Sequence, residues 1–350
     1  MRTALVAILL AATVPAHAEN ATIRNVIDGF VRPAYADFAA TTTNLETRAG
    51  ELCTAPSQVS LKAARAAFRD AARAWSVAET VRFGPVTEET RLERILFWPD
   101  RKSIGLKQVQ RALAEEDPTA IDATALTKKS VAMQGFGALE FTLFGAGADD
   151  LAAGAAYRCA YASAIATNLA GMAETIASAW AEEDGIVGLW ANPGPDNPLF
   201  REDAEAMTEL LDVAVHGLEL VRDVRLGGFL ADKAEDDRPK QALFWRSEMT
   251  VAAIRADLDG MRTLFEAADF GTLIADDMDW LPGSVAFEFA NAARALDGLD
   301  GPVEAMLADP ERRGRLEYLA IVTSGLSDTI GGKLAPALGL TSGFSSLDGD

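Results

Sequence analysis

Apolar side chains recur along almost the whole chain at the three-and-four spacing of an α-helix, and that period decides the fold class before any composition is counted. Leu61, Phe68 and Trp75 stand at seven-residue steps, with Ala64, Ala71, Ala72 and Ala78 in the turns between them. This is one apolar face of a helix, stopped at Phe83-Gly84-Pro85. Leu92, Ile95 and Leu96 predict a second helix that ends at Trp98-Pro99-Asp100, and Ser103 reads as the cap of a third carrying Leu106, Val109 and Leu113. Ala125 to Phe144 reads as a single strongly apolar helix, and Leu151 to Glu183 as a long alanine-rich one. Further on, Met207, Leu211, Ala214, Leu218 and Val221 make a stripe. Val251, Ile254, Leu258, Met261 and Phe265 make a cleaner one, followed by Val285, Phe289, Ala292, Leu296 and by Leu316, Leu319, Leu326. No run of β-branched and aromatic residues alternates at period two between turn signals. The expected fold is all-α, two four-helix-bundle-like units in tandem. The Gly- and Pro-rich stretch 185–198, GIVGLWANPGPDNP, is the expected linker, with a boundary near residue 190 between units 19–190 and 191–350 and a site near their junction.

Residues Met1 to Ala18 read as a secretory signal, from Arg2, the apolar run Ala4 to Ala12 and the small-x-small end Ala16-His17-Ala18, with cleavage expected before Glu19. No other apolar run approaches the ~20 residues needed to span a bilayer. The expected location is therefore the periplasm or cell envelope, without a transmembrane segment. Acidic side chains number 52 against 32 basic ones, a formal net charge of −20, which argues against a nucleic-acid partner. Once the signal is removed His216 is the only histidine, so a His-Glu-x-x-His zinc helix is excluded. Cys53 and Cys159, an even pair in an exported chain, read first as a disulfide and otherwise as two buried inert thiols.

The informative anomaly is a set of carboxylates on or beside the apolar stripes. Glu79 lies one helical turn after Trp75, which puts its carboxylate beside the indole. Glu140 shares a face with Met133 and Gly137, between Phe136 and Leu143, with only Gly135, Gly137 and Ala138 as bulk around it. That bareness lets a ligand or another backbone approach closely. His216 and Glu219 form an i, i+3 pair with metal-ligand spacing, and Glu248 and Glu288 each stand a turn from a stripe member. A carboxylate in apolar surroundings needs a cation, an arginine or a raised pKa. Arginines such as Arg73, Arg82, Arg94 and Arg222 are at hand for these carboxylates, and pairing of this kind, or half-burial at the stripe's edge, is the plainer reading for each of them except Glu140. If these groups ligate a metal, the set is Glu140, Glu79, His216 and Glu219, oxygen-rich and suited to iron or another hard divalent cation.

Gln134 to Gly145 reads QGFGALEFTLFG and resembles the Gly-x-His-x-x-Glu segment of the imelysin-like family of exported bacterial proteins, similar to QGFHAIEFLLFG. Gly135 and Glu140 occupy the outer motif positions, and Gly137 stands where the family carries histidine. Trp75 and Glu79 before Phe83-Gly84-Pro85, then Phe97-Trp98-Pro99-Asp100, the stretch 192–198 and the closing 346–350 carry the likeness across the chain. The resemblance implies two helical bundles with the motif near their junction, an envelope location, and a link to iron acquisition. Three readings follow. The first is a metal-binding or accessory protein of an envelope iron-uptake system. The second is an imelysin-type metallopeptidase, disfavoured because Gly137 replaces the motif histidine. The third is a metal-free module that binds an envelope partner.

Overall fold

The computed structural model describes residues 16–340. Apart from residues 16–18 the expected secretory segment lies outside the described residues, as does the closing stretch 346–350. Among the described residues there are helices and turns and no strand. Helix α1 (Ala16–Val26) runs through a π-helical turn at Ile27–Val31 into α2 (Arg32–Thr54). Helix α3 (Gln58–Ala78) is capped by Ser57, whose Oγ accepts from the Ser60 N–H at 3.1 Å. After the short α4 (Arg91–Ile95) comes α5 (Ile104–Glu115), and its cap corrects the sequence expectation. Ser103 sits in the left-handed region at φ 51° and caps nothing with its side chain. Asp100 does that work instead, Oδ1 accepting from Ile104 N at 2.8 Å and Oδ2 from Leu106 N at 3.1 Å.

The single helix expected over 125–144 is two helices, α6 (Ala123–Leu126) and α7 (Gly135–Phe144), with a 3-10 turn at Val131–Met133 between them. The break has a local cause. Gly135 has φ 68°, and a Cβ there would stand 2.3 Å from the carbonyl oxygens of both Arg94 and Ile95. The chain turns against the end of α4 at a spot where only glycine fits. Gln134 holds the turn, accepting from Arg94 Nε at 3.1 Å and donating to the Lys129 carbonyl at 3.0 Å.

The rest follows the apolar stripes: α8 (Ala156–Ala181), α9 (Gly188–Ala191), α10 (Asp203–Glu219), α11 (Thr250–Ala268), α12 (Trp280–Leu296), α13 (Val303–Ala308) and α14 (Pro310–Thr329). Helix α2 packs on α3 and α8, and α7 packs on both α3 and α8. In the second half α12 packs on α14 and α11, and α14 on α10. Contacts cross the midpoint freely: α3 lies along α11, and α1 packs on α10 and α11. Phe68 of α3, Phe136 of α7 and Phe244 meet pairwise with ring centroids 5.7–6.0 Å apart, joining the halves in one buried cluster. Trp190, within the expected linker, is fully buried and donates from Nε1 to the Ala206 carbonyl at 3.0 Å. A boundary near residue 190 remains our proposed division, drawn through a shared core.

Cys53, at the end of α2, and Cys159, at the start of α8, are disulfide-bonded, with Cα atoms 5.4 Å apart and a sequence separation of 106. For a loop of that size chain-entropy reasoning gives about 4–5 kcal/mol of stabilisation. The Cys53→Ala/Cys159→Ala double variant is expected to lose up to that amount in urea unfolding; a midpoint equal to wild type would show that the bond constrains nothing.

Candidate functional site

A cavity of about 380 Å³ opens where the two halves meet. Its walls are residues 96–101 after α4, the first turn of α5, one face of α7, the turn 223–228 after α10, and the segment 238–246 before α11. Helix α7 presents Gly137, Ala138, Glu140 and Phe141 to it. Gly137 is exposed, and a Cβ built there would meet nothing nearer than the Phe97 carbonyl oxygen, 3.9 Å away. The position where the resemblance places histidine is thus open space on the cavity wall.

Glu140 lies on the same wall, 5% exposed. Its Oε1 accepts from both the backbone N–H of Ser247 at 3.0 Å and the Ser247 hydroxyl at 2.8 Å. Burial pushes this carboxyl above its ordinary pKa, while the Ser247 hydrogen bonds and the nearby Arg246 charge pull it back. Arg69 of α3 donates from Nε to the Ser247 carbonyl at 3.2 Å, so the segment is held from both sides. Glu140 therefore pins the segment that carries Trp245 and Arg246 to α7. Gly135 acts from behind, through the close approach that starts the helix.

Glu79 does not reach the cavity. It is 4% exposed at the end of α3, paired to Arg82 at 3.0 Å through Oε1 and to the buried Arg225 through Oε2. Of the arginines considered from sequence Arg82 is the partner, and Arg225 is an addition. Arg225 Nε stands 3.5 Å from Oδ2 of the buried Asp257 on α11, too far for a hydrogen bond, and neither atom has another hydrogen-bond partner among the described residues. The other face of Arg225 lies over the Trp98 ring at 4.9 Å, and Trp98 lines the cavity. Trp75, fully buried, packs on Phe38 at 5.1 Å and is core, with no place on the cavity wall.

His216 and Glu219, on α10, are not among the residues lining the cavity. Of the four ligands expected, only Glu140 is on its wall, and among the described residues no group of three or more His, Cys, Asp or Glu is placed to hold a metal ion. Glu248 is exposed, and Glu288 accepts from Asn291 Nδ2 at 3.0 Å.

Several site residues went unread in the sequence. Asp257 falls between Ile254 and Met261 on the cleanest stripe, and Arg225 extends the Leu218–Val221 stripe by one turn, so both broke an apolar pattern as visibly as Glu79 did. Arg246 and Ser247 lie in the irregular segment 242–249, which has no period to break.

The chain is thus all-α, with a ligand-sized cavity made by loops and helix ends and walled by a buried glutamate. The imelysin family model, peptidase family M75, matches residues 31–327, and the chain belongs to that family. Iron-regulated protein A of Synechococcus elongatus is 25% identical over 331 residues, covering 91% of this chain and 86% of that protein. An imelysin-like protein of Psychrobacter arcticum superposes with a TM-score of 0.78 at 22% identity, over 96% of this chain and 100% of its own. A protein of Parabacteroides distasonis assigned as an iron-regulated protein A precursor does so at 0.76 and 14%, over 93% and 97%. At these identities the two structures share the fold.

The Glu79–Arg225–Asp257 cluster carries a pH signature. Asp257 is pushed up from its ordinary 3.8 to about 7, first by burial, with Glu79 adding repulsion and Arg225 opposing. A carboxyl that holds its proton better folded than unfolded stabilises the fold fully below about pH 4, and that contribution is lost as pH rises through about 7. Asp257→Asn keeps the shape and stays neutral. Its melting temperature relative to wild type is expected to climb from pH 5 to pH 8, and a difference that does not vary with pH would refute the assignment.

Proposed function

We propose that this protein is an exported binding or accessory component of an iron-uptake system, and that its binding site is the cavity walled by Glu140. The observation that carries the reading is the placement of the motif glutamate, buried and pinned to Ser247, on the wall of a cavity of about 380 Å³. The iron link draws on the family and on the relative called iron-regulated protein A. The disulfide between Cys53 and Cys159 and the secretory pattern before Glu19 support export to an oxidising compartment.

The donor set does not fit a bare metal ion. Asp100 and Asp223 also line the cavity, but both Asp100 oxygens accept helix N–H groups, and Asp223 is held by Arg222 through two contacts of 2.6 Å. Glu140 is left as one carboxylate, with one oxygen already accepting twice, where a hard cation requires about six oxygens and zinc about four donors. The metallopeptidase reading is short of the same ligands, since it needs a metal-bound water and a base.

Two measurements test this. Chelator-stripped protein equilibrated with ferrous iron, manganese, calcium and zinc is expected to retain less than one equivalent by elemental analysis, with Glu140→Gln the same. One tight equivalent lost in Glu140→Gln, or chelator-sensitive cleavage of an unfolded polypeptide, would overturn the donor argument. A strain lacking the protein is expected to grow more slowly under iron limitation and normally when iron is replete; equal growth in both would remove the iron link.

A further inference from the structure

We infer that the occupant of the cavity is a small organic anion with a flat aromatic body, an aromatic carboxylate in its simplest form. This rests on the reading of the cavity as the binding site and says what kind of molecule enters it.

The sign of the wall comes first. In a chain with 52 acidic and 32 basic side chains, the cavity is lined by four cations, Arg101, Arg238, Lys240 and Arg246. Its three acids are engaged: Asp100 caps α5, Asp223 is chelated by Arg222, and Glu140 accepts from Ser247. With Asp223 paired to Arg222 and the charge of Glu140 disfavoured by burial, the lining carries an excess of positive charge against a strongly negative background, which favours anions over free cations.

Arg246 is the sharpest of the four. It is half-buried, and its guanidinium lies 4.3 Å from the Trp245 ring centroid and 5.5 Å from that of Phe141. Its guanidinium forms no hydrogen bond or ion pair with any described residue, and burial pulls its pKa down with the Glu140 charge opposing. Stacking occupies the flat face of a guanidinium and leaves its in-plane N–H groups, the fork that pairs with a carboxylate. Glu140 itself cannot serve, since Ser247 holds it on the wall.

The body of the ligand is set by the rings. Phe97, Trp98, Phe141 and Trp245 line the same space, and Trp98 is backed by Arg225 at 4.9 Å. Flat apolar faces of this kind take up planar ligands by stacking. Gly137 adds room, because no side chain projects there, and the volume falls in the range of small-molecule sites.

The test is isothermal titration calorimetry of the full protein with benzoate, salicylate and 2-naphthoate, against benzylamine as the ring of opposite charge. At least one carboxylate is expected to bind with one equivalent, to weaken with added salt, and to lose on the order of tenfold or more in Arg246→Ala, with partial recovery in Arg246→Lys. Gly137→Leu, which fills the cavity without touching a charge, is expected to weaken binding while leaving the melting temperature within a few degrees. No binding by any of the three carboxylates, equal binding of benzylamine, or unchanged binding in both variants would overturn the inference. Salicylate also chelates ferric ion, so repeating its titration with ferric iron separates the free anion from its complex. Iron retained only with salicylate and lost in Arg246→Ala supports the anion site and the iron role together. Salicylate bound equally with and without iron, and no iron retained, supports the anion site and counts against the iron role.

Discussion

Two hydrogen bonds from Ser247 to one buried oxygen of Glu140 hold the site together. Glu140 belongs to a helix of the first half and Ser247 to an irregular segment of the second, so the pair joins parts of the chain 107 residues apart. Without it the backbone N–H of Ser247 would be buried and unsatisfied, an outcome that costs about 1–3 kcal/mol per group. Arg69 pulls on the Ser247 carbonyl and Phe244 packs between Phe68 and Phe136, so the segment before α11 is fixed by polar and apolar contacts at once. The glutamate of the family motif thus acts here as a fastening, and the side chains it presents, Trp245 and Arg246, are the ones that face the cavity.

A second cross-link works by charge. Arg225 bridges Glu79 of α3 and faces Asp257 of α11, three ionisable groups with almost no solvent contact. Such an arrangement adds little net stability over an apolar replacement, but removing one member leaves an uncompensated buried charge. Arg225 also covers Trp98, so the ion cluster and the cavity wall share a side chain.

The helical class was legible because the apolar period is strong, and the disulfide because the chain offers a single even pair of cysteines. Glu79 and Glu140 stood out for a sound reason, since both are buried, yet the reason does not distinguish a ligand from a fastener. That distinction depends on what sits across the fold, and Ser247 and Arg225 are distant in sequence. Helix limits were harder: the interruption at Gly135 comes from the nearness of the Arg94 and Ile95 carbonyls, a tertiary fact that local apolar spacing hides. Ser103 had the chemistry of a cap, but Asp100, three residues earlier, reaches the free N–H groups with both oxygens.

The first helix has a consequence for how the molecule is made. Ile23, Val26, Ile27, Phe30 and Val31 are buried, and α1 packs on α10 and α11, whose residues begin some 180 positions later. During synthesis this apolar surface leaves the ribosome long before its partners exist, and it stays without its native cover until most of the chain has emerged. Contacts of such long sequence separation slow folding and lengthen the time in which sticky surface is available to other chains. A segment made early in synthesis is therefore among the last to be sealed, and a holding factor that recognises residues near 23–31 would cover apolar surface while its native partners are still being made.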